Sequence, residues 1–353
     1  VEGSLKKMMP ADQIWPPNEY WHFHGASGRY QRLSAFDDAM TQMYGAPKNL
    51  DDYERKAQAM TYEGERAMFE AYGRNKYEST GVIQWMLNNA WPSLFWHLYD
   101  YYLQPAGGYF GAKKANELLH VQYSYDDRSV VVVNSFYRAF PALTIFAKVY
   151  SADMKPIFSR RSVVSVPADF SARTFKIPRF PRTAAPQAYF LKLDLQDRDG
   201  KLLSSNFYWL SSKSAIFKWD LSTDQRTEVS SYPDFTMLAR LPRAQLEASA
   251  SRETPDGVPE VNVRLHNPST HLVFQVRLAI QEKNGDEILP VFWSDNYFEL
   301  MPGETRTLTA RYPAGTKLAE AAKLEVQGWN IKPTTLAISA SHIEPAKPAE
   351  VTR

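Results

Sequence analysis

The sequence predicts a multidomain chain: part of an α/β barrel, then two all-β immunoglobulin-like sandwiches. Three observations predict it. Residues 34–118 read as helices, a short apolar run, a loop and a short helix, which is one unit of an α/β (TIM) barrel. From Leu119 the texture changes to about seven short strands at regular spacing, the pattern of a sandwich. From about Ser214 a second series of strands follows. The chain therefore divides into 1–118, 119–213 and 214–340, with 341–353 as a flexible tail.

Residues 1–30 read as an aromatic loop. The run Trp15-Pro16-Pro17-Asn18-Glu19-Tyr20-Trp21-His22-Phe23-His24-Gly25 holds two prolines and a glycine, which exclude a long regular element. The spacing predicts helices over 34–45 and about 50–74. The second has Asn49 at its start, Asp51 and Asp52 in the first turn, where acidic groups suit the helix dipole, and Gly73 at its end. Tyr53, Ala57, Met60, Ala67, Met68 and Tyr72 fall near one face of it. Gly81 to Leu87 is apolar and of strand length, and is predicted as the last strand of the barrel segment. A loop to about Pro105 and a short helix over 107–117 follow. A whole barrel takes roughly 250 residues, so a segment ending near residue 118 cannot be a complete one. Alone, it should pack poorly and expose an apolar patch.

Strands are predicted at 120–125, 129–134, 142–150, 158–166, 172–177, 188–196 and 202–210. The Asp126-Asp127 pair, and Asp197 with Asp199, read as hairpin-turn residues. The second series runs 245–251, 258–267, 272–282, 304–312 and 323–329, with turns at Pro255-Asp256-Gly257, Asn284-Gly285-Asp286 and Met301-Pro302-Gly303.

Composition narrows the function classes. Hydrophobic residues make up 44% of the 353, enough to bury real cores. Net charge is +2 with both signs interspersed, so nothing asks for nucleic acid or an anionic membrane. There is no cysteine, hence no disulfide and no thiolate metal site. His22 and His24 stand two apart without a third partner, so no metal and no cofactor is expected. No apolar run approaches the length of a membrane span, and no signal peptide is visible. The chain starts at Val1 without a methionine, as a processed protein or a fragment would. A bacterial periplasmic or secreted location is expected over a cytoplasmic one.

The chemistry concentrates at 81–96. The apolar run ends in Asn88 and Asn89 and a rigid Trp91-Pro92 step. Indole faces suit the C–H faces of a sugar and amides suit its hydroxyls. The same residues also fit a core strand followed by an ordinary turn, with Trp85 and Trp91 as packing.

The stretch Q-W-M-L-N-N-A-W-P-S-L-F-W-H-L-Y-D-Y-Y-L from Gln84, then P-A-G-G-Y-F-G-A-K-K-A-N-E and H-V-Q-Y-S-Y-D-D-R-S-V-V-V-V-N, resembles the family 2 glycoside hydrolases. The likeness is greatest to their exo-β-D-glucosaminidase branch, with β-mannosidases as relatives. It runs from about Met8 to about Tyr312 and includes D-N-Y-F-E-L-M-P-G-E-T from Asp295 in the last sandwich. The resemblance implies the C-terminal portion of a retaining, exo-acting hydrolase that removes terminal β-D-glucosamine from chitosan oligosaccharides. β-Mannosidase is the alternative. It places the nucleophilic Glu a few residues before Val1 and the acid/base further upstream, so no catalytic residue is expected within this numbering. The missing N-terminal part of the same enzyme is then an expected partner, beside the oligosaccharide. A non-catalytic carbohydrate-binding or structural role is the reading from another class.

The resemblance also implies roles for residues at the barrel's catalytic face. Trp85 would floor the sugar at the cleaved position, and Asn88 or Asn89 would bond its hydroxyls or hold a catalytic carboxylate. Trp91 would pack beside them, with His24 and Tyr20 as further candidates. Asn18-Glu19 imitates the clan's acid/base pair but sits in the wrong loop. Glu19 is read instead as a loop carboxylate pairing with Arg29 or Arg32.

Overall fold

The computed structural model describes residues 1–25, 33–94, 97–180, 188–223, 227–313, 315–316 and 318–340. The expected tail at 341–353 and the expected partners Arg29 and Arg32 lie outside these.

Among the described residues five α-helices precede the sandwiches: α1 (Glu2–Met8), α2 (Glu19–Gly25), α3 (Ser34–Tyr44), α4 (Leu50–Arg74) and α5 (Gly107–Ala115). Residues 1–25 are thus not simply loop. Their prolines limit helix length without forbidding helix, because proline interrupts only beyond the first turn. Asn49 caps α4 as expected, its Oδ1 accepting the Asp52 N–H at 2.9 Å.

The strand expected at 81–87 is not formed. No ladder includes these residues, and Ile83 is 92% exposed. A barrel strand needs hydrogen-bonding neighbours on both sides and cover on both faces. No described strand runs beside this segment, so its apolar side chains have nothing to be buried against.

The first sandwich comprises β1 (Leu119–Tyr123), β2 (Ser129–Asn134), β3 (Phe140–Tyr150), β4 (Pro156–Val166), β5 (Phe170–Lys176), β6 (Ala188–Gln196) and β7 (Leu202–Ser211). Sheet β1-β2-β5 faces sheet β4-β3-β6-β7. Alternate residues Leu143, Ile145, Ala147 and Val149 of β3 enter the core with Val121, Val130, Val132, Leu191, Leu193 and Leu195. Asp127 and Asp197 occupy hairpin turns, each accepting backbone N–H groups just beyond it.

A hairpin, β8 (Ile216–Lys218) and β9 (Glu228–Ser231), leads to the second sandwich: β10 (Glu247–Glu253), β11 (Glu260–His266), β12 (Val273–Gln281), β13 (Phe292–Trp293), β14 (Phe298–Leu300), β15 (Thr305–Arg311), β16 (Lys323–Gln327) and β17 (Thr334–Ala337). Its sheets are β10-β11-β15-β13 and β14-β12-β16-β17.

Helix α4 joins both sandwiches. Phe190, Phe207 and Trp209 of β6 and β7 turn away from the first core to meet Tyr44 and Tyr62 and Phe274 of the second sandwich. Arg66 is buried there, its guanidinium 4.1 Å from the Tyr208 ring centre and its Nη1 donating to Asn206 Oδ1 at 3.1 Å. The helices are therefore better packed than the sequence suggested. The exposed apolar run at 83–91 is the part of that expectation that stands.

Candidate functional site

The structure divides the sequence-predicted residues into three groups. Trp85 is 71% exposed and lines a cavity of about 420 Å³ bounded by α1, α4 and the 84–106 segment. An exposed indole at a cavity mouth is available to a ligand face, so the core-packing alternative does not hold for it.

His24 and Trp91 come together beside this opening without lining it. Their rings stack with centres 5.6 Å apart, and Phe23 meets Trp91 edge-on at 5.8 Å. His24 Nδ1 lies 2.8 Å from the Pro92 carbonyl, and the Leu94 N–H donates to the His24 carbonyl at 2.8 Å. These contacts bind α2 to the loop. Trp91 is thus a packing residue beside the site, and His24 shares that role.

Asn88 and Tyr20 are exposed, and Asn89 is not. Asn89 is 4% exposed, its Nδ2 reaching the Ser93 carbonyl at 3.3 Å and His97 Nδ1 at 2.6 Å. It holds the loop from below and does not reach solvent. Glu19 is exposed in the first turn of α2.

Several lining residues went unrecognised in the sequence. Helix α4 contributes Glu54, Gln58, Thr61 and Glu65, all on one face by their spacing. Burial pushes both carboxyls up. Glu54 Oε1 and Glu65 Oε2 have no hydrogen-bond partner among the described residues, and the Val1 amino group stands 4.0 Å from the former. That polar stripe was legible in the helical spacing. Gln84, His97 and Asp100 add to the polar lining, with Ser4, Ser93 and Gln104. The 84–106 segment is pinned by Asp100 Oδ1, which accepts the N–H groups of Tyr102 and Gln104 at 2.9 and 3.0 Å.

This lining can hold a small polar ligand against an aromatic face. It is not itself a retaining pair. Such a pair needs carboxylates roughly 5 Å apart. Glu54 and Glu65 stand three helical turns apart, roughly 16 Å along the axis. Among the described residues no three His, Asp or Glu side chains converge to hold a metal.

Comparison with known proteins shows what the chain resembles. Residues 225–331 match the family model of the exo-beta-D-glucosaminidase Ig-fold domain, and 126–212 that of the mannosidase Ig/CBM-like domain. The chain is 36% identical to the exo-beta-D-glucosaminidase of Amycolatopsis orientalis, over 98% of this chain and 35% of that protein. It is 38% identical to that of Streptomyces avermitilis, over 94% and 38%. Over nearly its whole length the chain is similar to exo-β-D-glucosaminidases.

The two immunoglobulin-like matches fall on β2–β7 and β9–β16. The crystal structure of the Amycolatopsis orientalis exo-chitosanase superimposes with a TM-score of 0.88 at 37% identity, over 96% of this chain and 41% of that one. A β-D-mannosidase from Dictyoglomus thermophilum shares the fold at 16% identity with a TM-score of 0.69, over 94% and 36%. The chain spans little more than a third of the length of the curated relatives it matches.

Proposed function

We propose that this chain is the C-terminal part of a retaining, exo-acting glycosidase that releases terminal β-D-glucosamine from chitosan oligosaccharides. The observation that carries the reading is identity of 36–38% to exo-β-D-glucosaminidases over nearly the whole chain. In this reading residues 1–118 belong to a (β/α)8 barrel, and 119–213 and 214–340 are its two following sandwiches. The rest of the barrel and both catalytic carboxylates come from the upstream part of the same enzyme. Trp85 then offers the sugar its aromatic floor, and the exposed Asn88, three residues further along the loop, bonds a hydroxyl. The 353 residues alone are inactive, and the enzyme works in an exported compartment.

The mannosidase alternative draws support from the family match at 126–212, but the related lily endo-β-mannosidase is only 26% identical. The test is a panel of nitrophenyl β-glycosides offered to this chain alone and to the chain joined to its upstream sequence. Cleavage of the glucosaminide by the joined protein only is the expected result. Preference for the mannoside would replace the substrate, and hydrolysis by the 353 residues alone would overturn the division of labour.

A further inference from the structure

A cleft of about 1050 Å³ opens between the two sandwiches, with β3, β6 and β7 on one side and β14 and β15 on the other. Among the described residues five carboxyls line it, and four are already paired with a cation. Glu117 lies 2.7 Å from Lys114, Asp194 3.6 Å from Lys192 and Glu304 2.6 Å from Arg306, with Asp295 3.8 Å from the same arginine. Glu299 is the exception. It is almost wholly buried on β14. Gln275 Nε2 donates to its Oε1 and to the Tyr297 carbonyl, both at 3.1 Å. A carbonyl only accepts, so this end of the Gln275 amide is its NH2. Glu299 Oε2 has no partner among the described residues. Burial opposes ionisation of this carboxyl, and Arg66, Arg306 and Lys192 favour it only at a distance. What the group lacks is a cation in contact with it. The paired ions around it offer hydroxyls both donors and acceptors, and Tyr150 and Met301 give the cleft an apolar wall.

We propose that this cleft binds a short β-linked amino-sugar oligosaccharide, its ammonium seated on the Glu299 carboxylate and its C–H faces against the apolar wall. The choice of sugar rests on the function proposed above. The ammonium seat rests on the cleft alone.

The test uses the whole 353-residue chain and its methionine methyl spectra. Met154 and Met301 line this cleft, and Met8 lines the cavity at Trp85. Each is assigned by its loss in Met8→Leu, Met154→Leu or Met301→Leu. Titration with the β-1,4-linked glucosamine disaccharide should shift Met154 and Met301. Glu299→Gln keeps the shape and removes the charge, and should weaken that response about tenfold, the loss of one charge-assisted hydrogen bond. The N-acetylated disaccharide, which carries no ammonium, should bind the wild-type cleft as weakly. Silence of Met154 and Met301, whether or not Met8 moves, would overturn the cleft site and leave the proposed function to the glycoside panel. Equal affinity of wild type and Glu299→Gln would overturn the ammonium seat. Cleft binding as expected, with no glucosaminide cleavage by the joined protein, would uphold the seat and overturn the function beneath it.

Discussion

His120 Nε2 lies 2.9 Å from the Glu70 carboxylate, and both side chains are buried where α4 meets the first sandwich. Its other nitrogen faces Glu117 at 3.2 Å. Burial opposes the imidazolium, but hydrogen bonds to Glu117 and Glu70 outweigh it and raise the His120 pKa above its ordinary 6.5. Burial likewise opposes the Glu117 carboxylate, but His120 and Lys114 outweigh it and hold its pKa at about 2. A group raised on folding stabilises fully below its unfolded pKa, and that stability is lost as pH climbs through the folded value. A group depressed on folding stabilises above its unfolded pKa. Both contributions are therefore complete between about pH 4.5 and 6.5. Thermal denaturation across pH 4 to 9 should find Tm highest in that window and falling on the alkaline side, with a flatter alkaline limb in His120→Gln. A wild-type Tm that is level from pH 6 to 8 would refute this.

Glu299 works in the same direction by another route. It is 7% exposed on β14, and burial pushes its pKa to about 7 although Gln275 Nε2 donates to it at 3.1 Å. A carboxyl raised from 4.5 to about 7 costs roughly 3 kcal/mol once it must ionise, and that cost develops as pH rises through this range. Glu299→Gln removes the ionisation and keeps the shape. The variant should gain Tm over wild type at pH 8 and differ little at pH 4.5. An equal change at both pH values would show that ionisation is not the cause.

How far the sequence disclosed this fold depended on where each residue's partners lie. The alternation of Leu143, Ile145, Ala147 and Val149, and the run Val130 to Val133, announce strands because period and β-branching are local properties. Gly81 to Leu87 has the same local texture, but strand formation depends on neighbours that its own residues do not encode. Arg66 and Glu70 sit on a helix whose spacing was clear, yet their burial among Asn206, Phe207 and Tyr208 comes from residues about 140 positions away. At the site, Trp85 was legible by type. Asn89 was legible as a functional amide but not as a buried one, because its partner His97 acts through a loop fold that no periodicity predicts.

The close approach of α5 to α4 rests on two glycines. A Cβ at Gly107 would stand 2.3 Å from the Gln58 carbonyl oxygen, and one at Gly111 2.1 Å from that of Tyr62. Backbone cannot yield as a flexible side chain can. Gly111→Ala should therefore cost about 1–3 kcal/mol, or more if α5 is forced off its seat. Gly64 is also in α4 but has nothing within 4 Å, so Gly64→Ala should instead stabilise by about 0.5–1 kcal/mol. Denaturant unfolding of both variants checks the contrast. Equal effects of the same sign would mean that helix propensity rather than contact governs these positions.

The segment 75–106 should open before any other described part of the chain. Its described residues form no helix or named strand, and Tyr77, Ile83, Trp85 and Leu87 are all exposed. By contrast, α4 before it and β1 after it are tied into buried cores. Local opening follows the number of buried contacts, so this stretch sits at the low-stability end. Brief chymotrypsin treatment with mass analysis should find first cuts between Tyr77 and Leu87, leaving 119–340 whole. The same exposed run offers a surface for self-association. Ile83→Lys should lower association, as seen by sedimentation, while changing stability by less than about 0.5 kcal/mol, because its side chain is already in solvent. First cuts within β1–β7, or a large loss of Tm in Ile83→Lys, would mean that this segment is packed and that its apolar residues are core.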